Sequence, residues 1–154
     1  MNQNDDDERE EDDEVLEQEV DRHSVLKRVD DWQTRLNSLY RQISDWGSEK
    51  GFASSTTGHT TMHEELMRKF DVGPVRLKIL DLRHATNDEI TFKPYGLWIV
   101  GGNGRIDVFK GAKYWVLIDR AERYRSPEWV LYSKESPSEP QRFSKTTFFQ
   151  MLAS

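Results

Sequence analysis

Residues Glu89 to Arg120 read E-I-T-F-K-P-Y-G-L-W-I-V-G-G-N-G-R-I-D-V-F-K-G-A-K-Y-W-V-L-I-D-R, and the punctuation of this stretch decides the fold class. β-Branched and aromatic residues gather in four short runs: Ile90 and Phe92, Leu97 to Val100, Ile106 and Val108, and Tyr114 to Ile118. Pro94-Tyr95-Gly96, Gly101-Gly102-Asn103-Gly104 and Gly111-Ala112 separate them with residues that favour turns. Asn103-Gly104 supplies the positive φ of a tight hairpin, so Leu97 to Val100 is expected to pair antiparallel with Arg105 to Phe109. The stretch therefore predicts an antiparallel meander.

Upstream, Val25, Val29, Trp32, Leu36, Leu39, Ile43 and Trp46 recur at alternating intervals of four and three, the period of one helix face. Val15 extends the register backwards, Ser24 is the expected N-cap and Gly47 the expected stop. Lys27, Arg28, Asp30, Asp31, Arg35, Arg41 and Asp45 are expected on the solvated sides. Two tryptophans in the seam argue against a regular two-stranded coiled coil, so the seam is expected to pack on the chain's own sheet. The alternative is that the seam, or Tyr40 beside it, docks on another chain.

Between these regions, Phe52 to Thr61 reads as a polar loop and Met62 to Phe70 as a short helix halted before Gly73-Pro74. Val75, Leu77 and Ile79 alternate with Arg76 and Lys78 as a half-buried strand. Trp129 to Tyr132 reads as another strand, and Ser136 to Pro140 as a loop. Ser144 is the expected N-cap of a last helix, with Phe143 stapled to Phe148 and with Phe149 and Leu152 closing on the sheet. The expected fold is α+β: an antiparallel β-meander of four to six strands packed by a long N-terminal helix and a short C-terminal helix, behind a disordered acidic tail. Residues 1–21 form the tail running into the first helix, and residues 22–154 a single domain.

A net charge of −6 conceals a division. Residues 1–21 carry twelve acids and one arginine, whereas the remainder carries sixteen acids and twenty-one basic residues. Self-repulsion and the lack of apolar surface predict disorder in the acid run D-D-D-E-R-E-E-D-D-E. The chain has no cysteine, which excludes a disulfide framework, a thiol nucleophile and cysteine-based metal sites. No stretch has the roughly 18–20 apolar residues of a membrane span, so a soluble cytoplasmic protein is expected.

No catalytic signature emerges. The glycines before Arg105 join two strands rather than a strand and a helix, which disfavours a phosphate cradle. His59 and His63 lack the His-Glu-x-x-His arrangement, and Asp81, Glu89, Asp107 and Asp119 lack the spacing of a nuclease metal site, leaving exposed strand charges as the simpler account. No catalytic residue, metal site or cofactor is assigned. The function expected is that of a non-enzymatic protein-interaction module, such as an accessory, adaptor or immunity-type inhibitor protein. Trp98, Arg105 and Tyr124 are the candidate partner-binding residues, because Trp, Tyr and Arg dominate interface energetics. The alternative is a nucleic-acid-binding module using Arg76, Lys78, Lys93, Arg105, Lys110 and Lys113 among aromatic rings, autoinhibited by the acidic tail.

Overall fold

The computed structural model describes residues 20–135 and 138–154. The tail expected to be disordered, the Val15 extension of the helical seam, and positions 136 and 137 of the expected loop lie outside the described residues. A long helix, α1 (Arg22–Glu49), leads into β1 (Phe52–Ser55), β2 (His59–Met62), the short helix α2 (Glu65–Lys69), β3 (Val75–Lys78) and β4 (Leu80–His84). There follow β5 (Glu89–Gly96), β6 (Arg105–Lys110), β7 (Lys113–Asp119), β8 (Trp129–Ser133), β9 (Gln141–Arg142) and α3 (Lys145–Ala153). Seven strands form one antiparallel sheet in the order β1-β4-β5-β6-β7-β8-β9, while β2 and β3 pair separately. No described helix is long and apolar enough to cross a membrane.

α1 packs its seam on its own sheet, with Val25, Val29, Trp32, Leu36, Leu39 and Ile43 buried and Trp46 partly so. Tyr40 is buried too, and its hydroxyl donates to the Lys78 carbonyl at 2.8 Å, so it is an internal tie. Asp21 rather than Ser24 is the N-cap: the Asp21 carboxylate accepts from the Ser24 amide, and the Ser24 hydroxyl accepts from the Asp21 amide. The helix also runs past Gly47. That glycine lets α1 approach the sheet, since a Cβ there would meet Leu82 at 3.3 Å and Phe52 at 3.5 Å. At the other end of the chain the Ser144 cap and the Phe143 staple form as the sequence predicts. Phe148 is completely buried between Phe143, Trp46 and Phe92.

Two features of the meander differ from the sequence reading. Pro94-Tyr95-Gly96 does not turn the chain but continues β5, with an irregular register against β6 between Pro94 and Gly96. Pairing with β4 ends at Phe92, so Pro94 has a main-sheet neighbour on one side only, the edge condition that a proline tolerates. Leu97 to Val100 is consequently not a strand, and the hairpin partner of β6 is β5. The intervening segment makes one bridge of its own, Ile99 with Gly102, and lies against the end of β7, where the Asn103 amide donates to the Asp119 carbonyl. The region read as the polar loop Phe52 to Thr61 supplies β1 and most of β2. These are marginal strands with one buried side chain each, too little to print an alternation on the sequence.

Arg28 and Arg35 are not on a solvated side of α1; each is only 7% exposed. Arg35 reaches Asp119 at 2.8 Å and Asp31 at 2.7 Å, and donates to the Asn103 carbonyl at 2.6 Å. Asp119, expected as an exposed strand charge, is 1% exposed and also accepts the amides of Ala121 and Glu128. A buried pair is tolerable only when its remaining valences are met in this way. Beside it, the Trp32 ring is completely buried against Trp129 and under Gly104. The Trp32 Nε1 has no acceptor among the described residues.

Gly104→Ala is expected to lower stability by about 2–4 kcal/mol, because φ is +122° and a Cβ would stand 2.3 Å from the Trp32 ring. Gly111→Ala, with φ +58° and open space around it, should lose only about 1–2 kcal/mol in the same urea titration. Equal losses would refute the close contact. Arg35→Met, which strands the buried Asp119 carboxylate, is expected to cost about 3–5 kcal/mol. Asp31→Asn, at a carboxylate whose side chain is 27% exposed, should cost about 1 kcal/mol or less, and thermal melts of the two variants check the contrast.

Candidate interaction surfaces

α1 and α3 both cover the same face of the sheet. Strand alternation directs Tyr114, Val116 and Ile118 of β7 to the opposite face, together with Val130 and Tyr132 of β8. Register places Val116 opposite Tyr132 and Ile118 opposite Val130, while Phe109 stands opposite Tyr114 with ring centroids 5.3 Å apart. Phe109 is 41% exposed and Tyr95, further along the same face, 63%. On a one-sided antiparallel sheet these outward positions are normally polar. β7 instead carries apolar residues on both sides, the pattern of a strand covered on both faces.

Arg105 lies at the edge of this open face. Its guanidinium sits 4.1 Å from the centre of the Tyr95 ring, donates to Asp107 at 2.9 Å and donates to the Tyr114 hydroxyl at 2.7 Å. Partial burial opposes the charge, but the hydrogen bond and attraction to Asp107 outweigh it and hold Arg105 more firmly protonated than usual. The Tyr114 hydroxyl is itself pushed above its ordinary range, first by burial and then by its hydrogen bond to Asp107. Arg105 opposes that shift.

Trp98 and Tyr124, chosen with Arg105 from the sequence, meet at a different place. Beside the first turns of α1 a groove of about 760 Å³ is lined by Val20, Lys27, Arg28, Leu66, Trp98, Arg123 and Tyr124, among others. Lys27 lies 4.2 Å from the centre of the Tyr124 ring, and Arg28 lies 5.6 Å from that of Trp98. Tyr124 adopts φ 62°, a strained conformation for an aromatic residue, within the loop that Asp119 closes through Ala121 and Glu128. Among the described residues Arg28 makes no hydrogen bond and no ion pair. Asp31, one turn away, attracts the Arg28 guanidinium but directs its Oδ2 to Arg35. Burial first, then repulsion from Arg123, pull the Arg28 pKa below its ordinary value. Sequence reading missed Arg28, although its position, three beyond Val25 and four before Trp32, falls inside the buried stripe once that stripe is wider than a bare seam.

The cations expected to serve nucleic acid are dispersed. Arg76 and Lys78 project from the β2–β3 ladder, Lys93 and Arg105 lie on the open sheet face, and Lys113 is at the β6–β7 turn. Lys110 points to the helix-covered face, where its ammonium donates to the carbonyls of Leu152 and Ser154 and caps the end of α3. They do not form one patch. His63 approaches the Val72 carbonyl at 3.1 Å, and the described residues contain no group of three or more His, Asp or Glu side chains suited to a metal ion. Comparison of the chain with protein-family models, curated proteins and solved structures finds no match.

The Tyr114 arrangement is open to titration. In protein labelled at the tyrosine ring carbons, Tyr114 is expected to ionise at higher pH than an ordinary tyrosine, and Arg105→Gln should raise its pKa further by removing a cation that favours the phenolate. A fall in the Tyr114 pKa in that variant, read by carbon NMR, would contradict the arrangement.

Proposed function

We propose that the chain is a non-enzymatic protein-interaction module, an accessory, adaptor or inhibitor protein that docks a partner protein on the open face of its sheet. The observation supporting this is the outward row Tyr114, Val116, Ile118 and Val130, apolar where a solvated sheet face is ordinarily polar. β7 is written for cover on two faces, and on the outward one Tyr114, Val116 and Ile118 are left only half-buried by the described residues. Lys93, Arg120 and Lys134 border the row. The partner proposed is therefore a protein with an apolar patch flanked by carboxylates, a match that steers encounter as well as orientation. A chain without cysteine suits a reducing compartment, and action in the cytoplasm is part of the proposal.

Exposed aromatic anchors commonly account for the larger losses in an interface, so Phe109→Glu is the variant of choice. Affinity capture from the source cells with the wild-type chain and with Phe109→Glu, both shown to melt alike, is expected to reveal one protein retained by the first and reduced roughly tenfold or more in the second. An unchanged set of captured proteins would overturn the docking face. Capture abolished by nuclease would instead indicate nucleic acid, and a wild-type dimer that dissociates in Phe109→Glu on sedimentation would make a second copy of the chain the occupant.

A further inference from the structure

We propose that the groove beside α1 is the docking site of the chain's own acidic segment, residues 5–14, which neutralises Arg28, Lys27 and Arg123. Arg28 carries the inference. The residue is 7% exposed, lines the groove, and has no hydrogen bond or ion pair among the described residues. Withdrawing a guanidinium from water without a hydrogen-bonded carboxylate is strongly unfavourable, and such groups are normally paired. Two further cations face the same space: Lys27 lies against Tyr124, and Arg123 is close enough to repel Arg28. Asp21 is the one carboxylate lining the groove among the described residues, and it is engaged as the cap of α1.

The complementary charge is in the same chain. Residues 5–14 read D-D-D-E-R-E-E-D-D-E, nine carboxylates against one guanidinium. Val20 and Asp21 form part of the groove wall, so the chain leaves from the site it would fill. Glu14 precedes Val20 by six residues, which even fully extended span at most roughly 20 Å. A tether of that length gives an effective concentration on the order of millimolar or above, so an acidic ligand supplied by another molecule meets a competitor already present. Arginine donates two parallel hydrogen bonds to a carboxylate, and the Trp98 and Tyr124 rings keep the cations oriented toward the groove. This contact is independent of the open sheet face, and its outcome leaves the proposal for that face unaltered.

The test uses the full chain in three forms: wild type, a neutralised form with Asp→Asn and Glu→Gln at positions 5–8 and 10–14, and the neutralised form carrying Arg28→Gln. The probe is a fluorescent peptide copy of residues 1–19, followed by anisotropy, with the Trp98 indole signal followed by NMR. The neutralised chain is expected to bind the peptide roughly tenfold or more tightly than wild type, since its groove has lost the internal competitor. Added salt should weaken that binding, Arg28→Gln should reverse it, and the Trp98 signal should differ between the wild-type and neutralised chains. Should Arg28→Gln fail to fold, Arg123→Gln, at an exposed position, serves in its place. Equal affinity of both chains for the peptide, with one unchanged Trp98 signal, would show a groove that accepts acids but is not filled in cis, and would overturn the inference. Absence of binding by either chain, again with the Trp98 signal unchanged, would show that the groove is not an acid site.

Discussion

The guanidinium of Arg35 crosses from α1 to Asp119 at the end of β7, and with side-chain exposures of 8% and 2% neither partner has water to fall back on. A buried pair of this kind contributes little net stability compared with a well-packed apolar pair, yet is severely penalised when one member is lost or misplaced. It therefore acts chiefly as a constraint on geometry. Asp119 also holds the amides of Ala121 and Glu128, and Arg35 also holds the Asn103 carbonyl. One pair thus positions the helix against the sheet and anchors the segments before β6 and after β7.

Those loops carry the groove. The segment before β6 presents Trp98, the segment after β7 presents Arg123 and Tyr124, and both meet the first turns of α1 where Lys27 and Arg28 project. A groove built on loops is ordinarily soft, but each of these loops is tied to a buried charge, so its rings and cations are held in place before any ligand arrives. The open sheet face is independent of this arrangement. Its apolar character comes from strand alternation alone, through Tyr114, Val116 and Ile118 pointing away from the helices. The chain therefore carries two surfaces of different chemistry, one aromatic and cationic, the other aromatic and aliphatic.

The long helix, the last helix, the strands from Ile106 to Ile118 and the strand at Trp129 were legible because their signals are local. A helical seam, a Ser144 cap and runs of β-branched residues between glycines need no distant partner to be recognised. The errors fall where a neighbour decides. Pro94 remains in a strand because β4 has already ended beside it, and Leu97 to Val100 is not a strand because Asn103 and Gly104 engage Asp119 and Trp32 instead. β1 and β2 were invisible because a strand that buries one side chain of four carries almost no periodicity.

By itself the sequence determined the α+β class, the antiparallel meander, the two terminal helices and the separation of charge between an acidic N-terminal segment and a basic remainder. It also contained, in the apolar run of β7, the signal of a strand suited to cover on both faces. Only the tertiary structure decided which arginines are buried, that Trp98 and Tyr124 share a groove while Arg105 stands on the sheet, and that Lys110 serves as a helix cap. The reason is physical: periodicity fixes which side chains share a face of their own element, whereas burial and pairing of charge depend on which elements, distant in the chain, come to lie against that face.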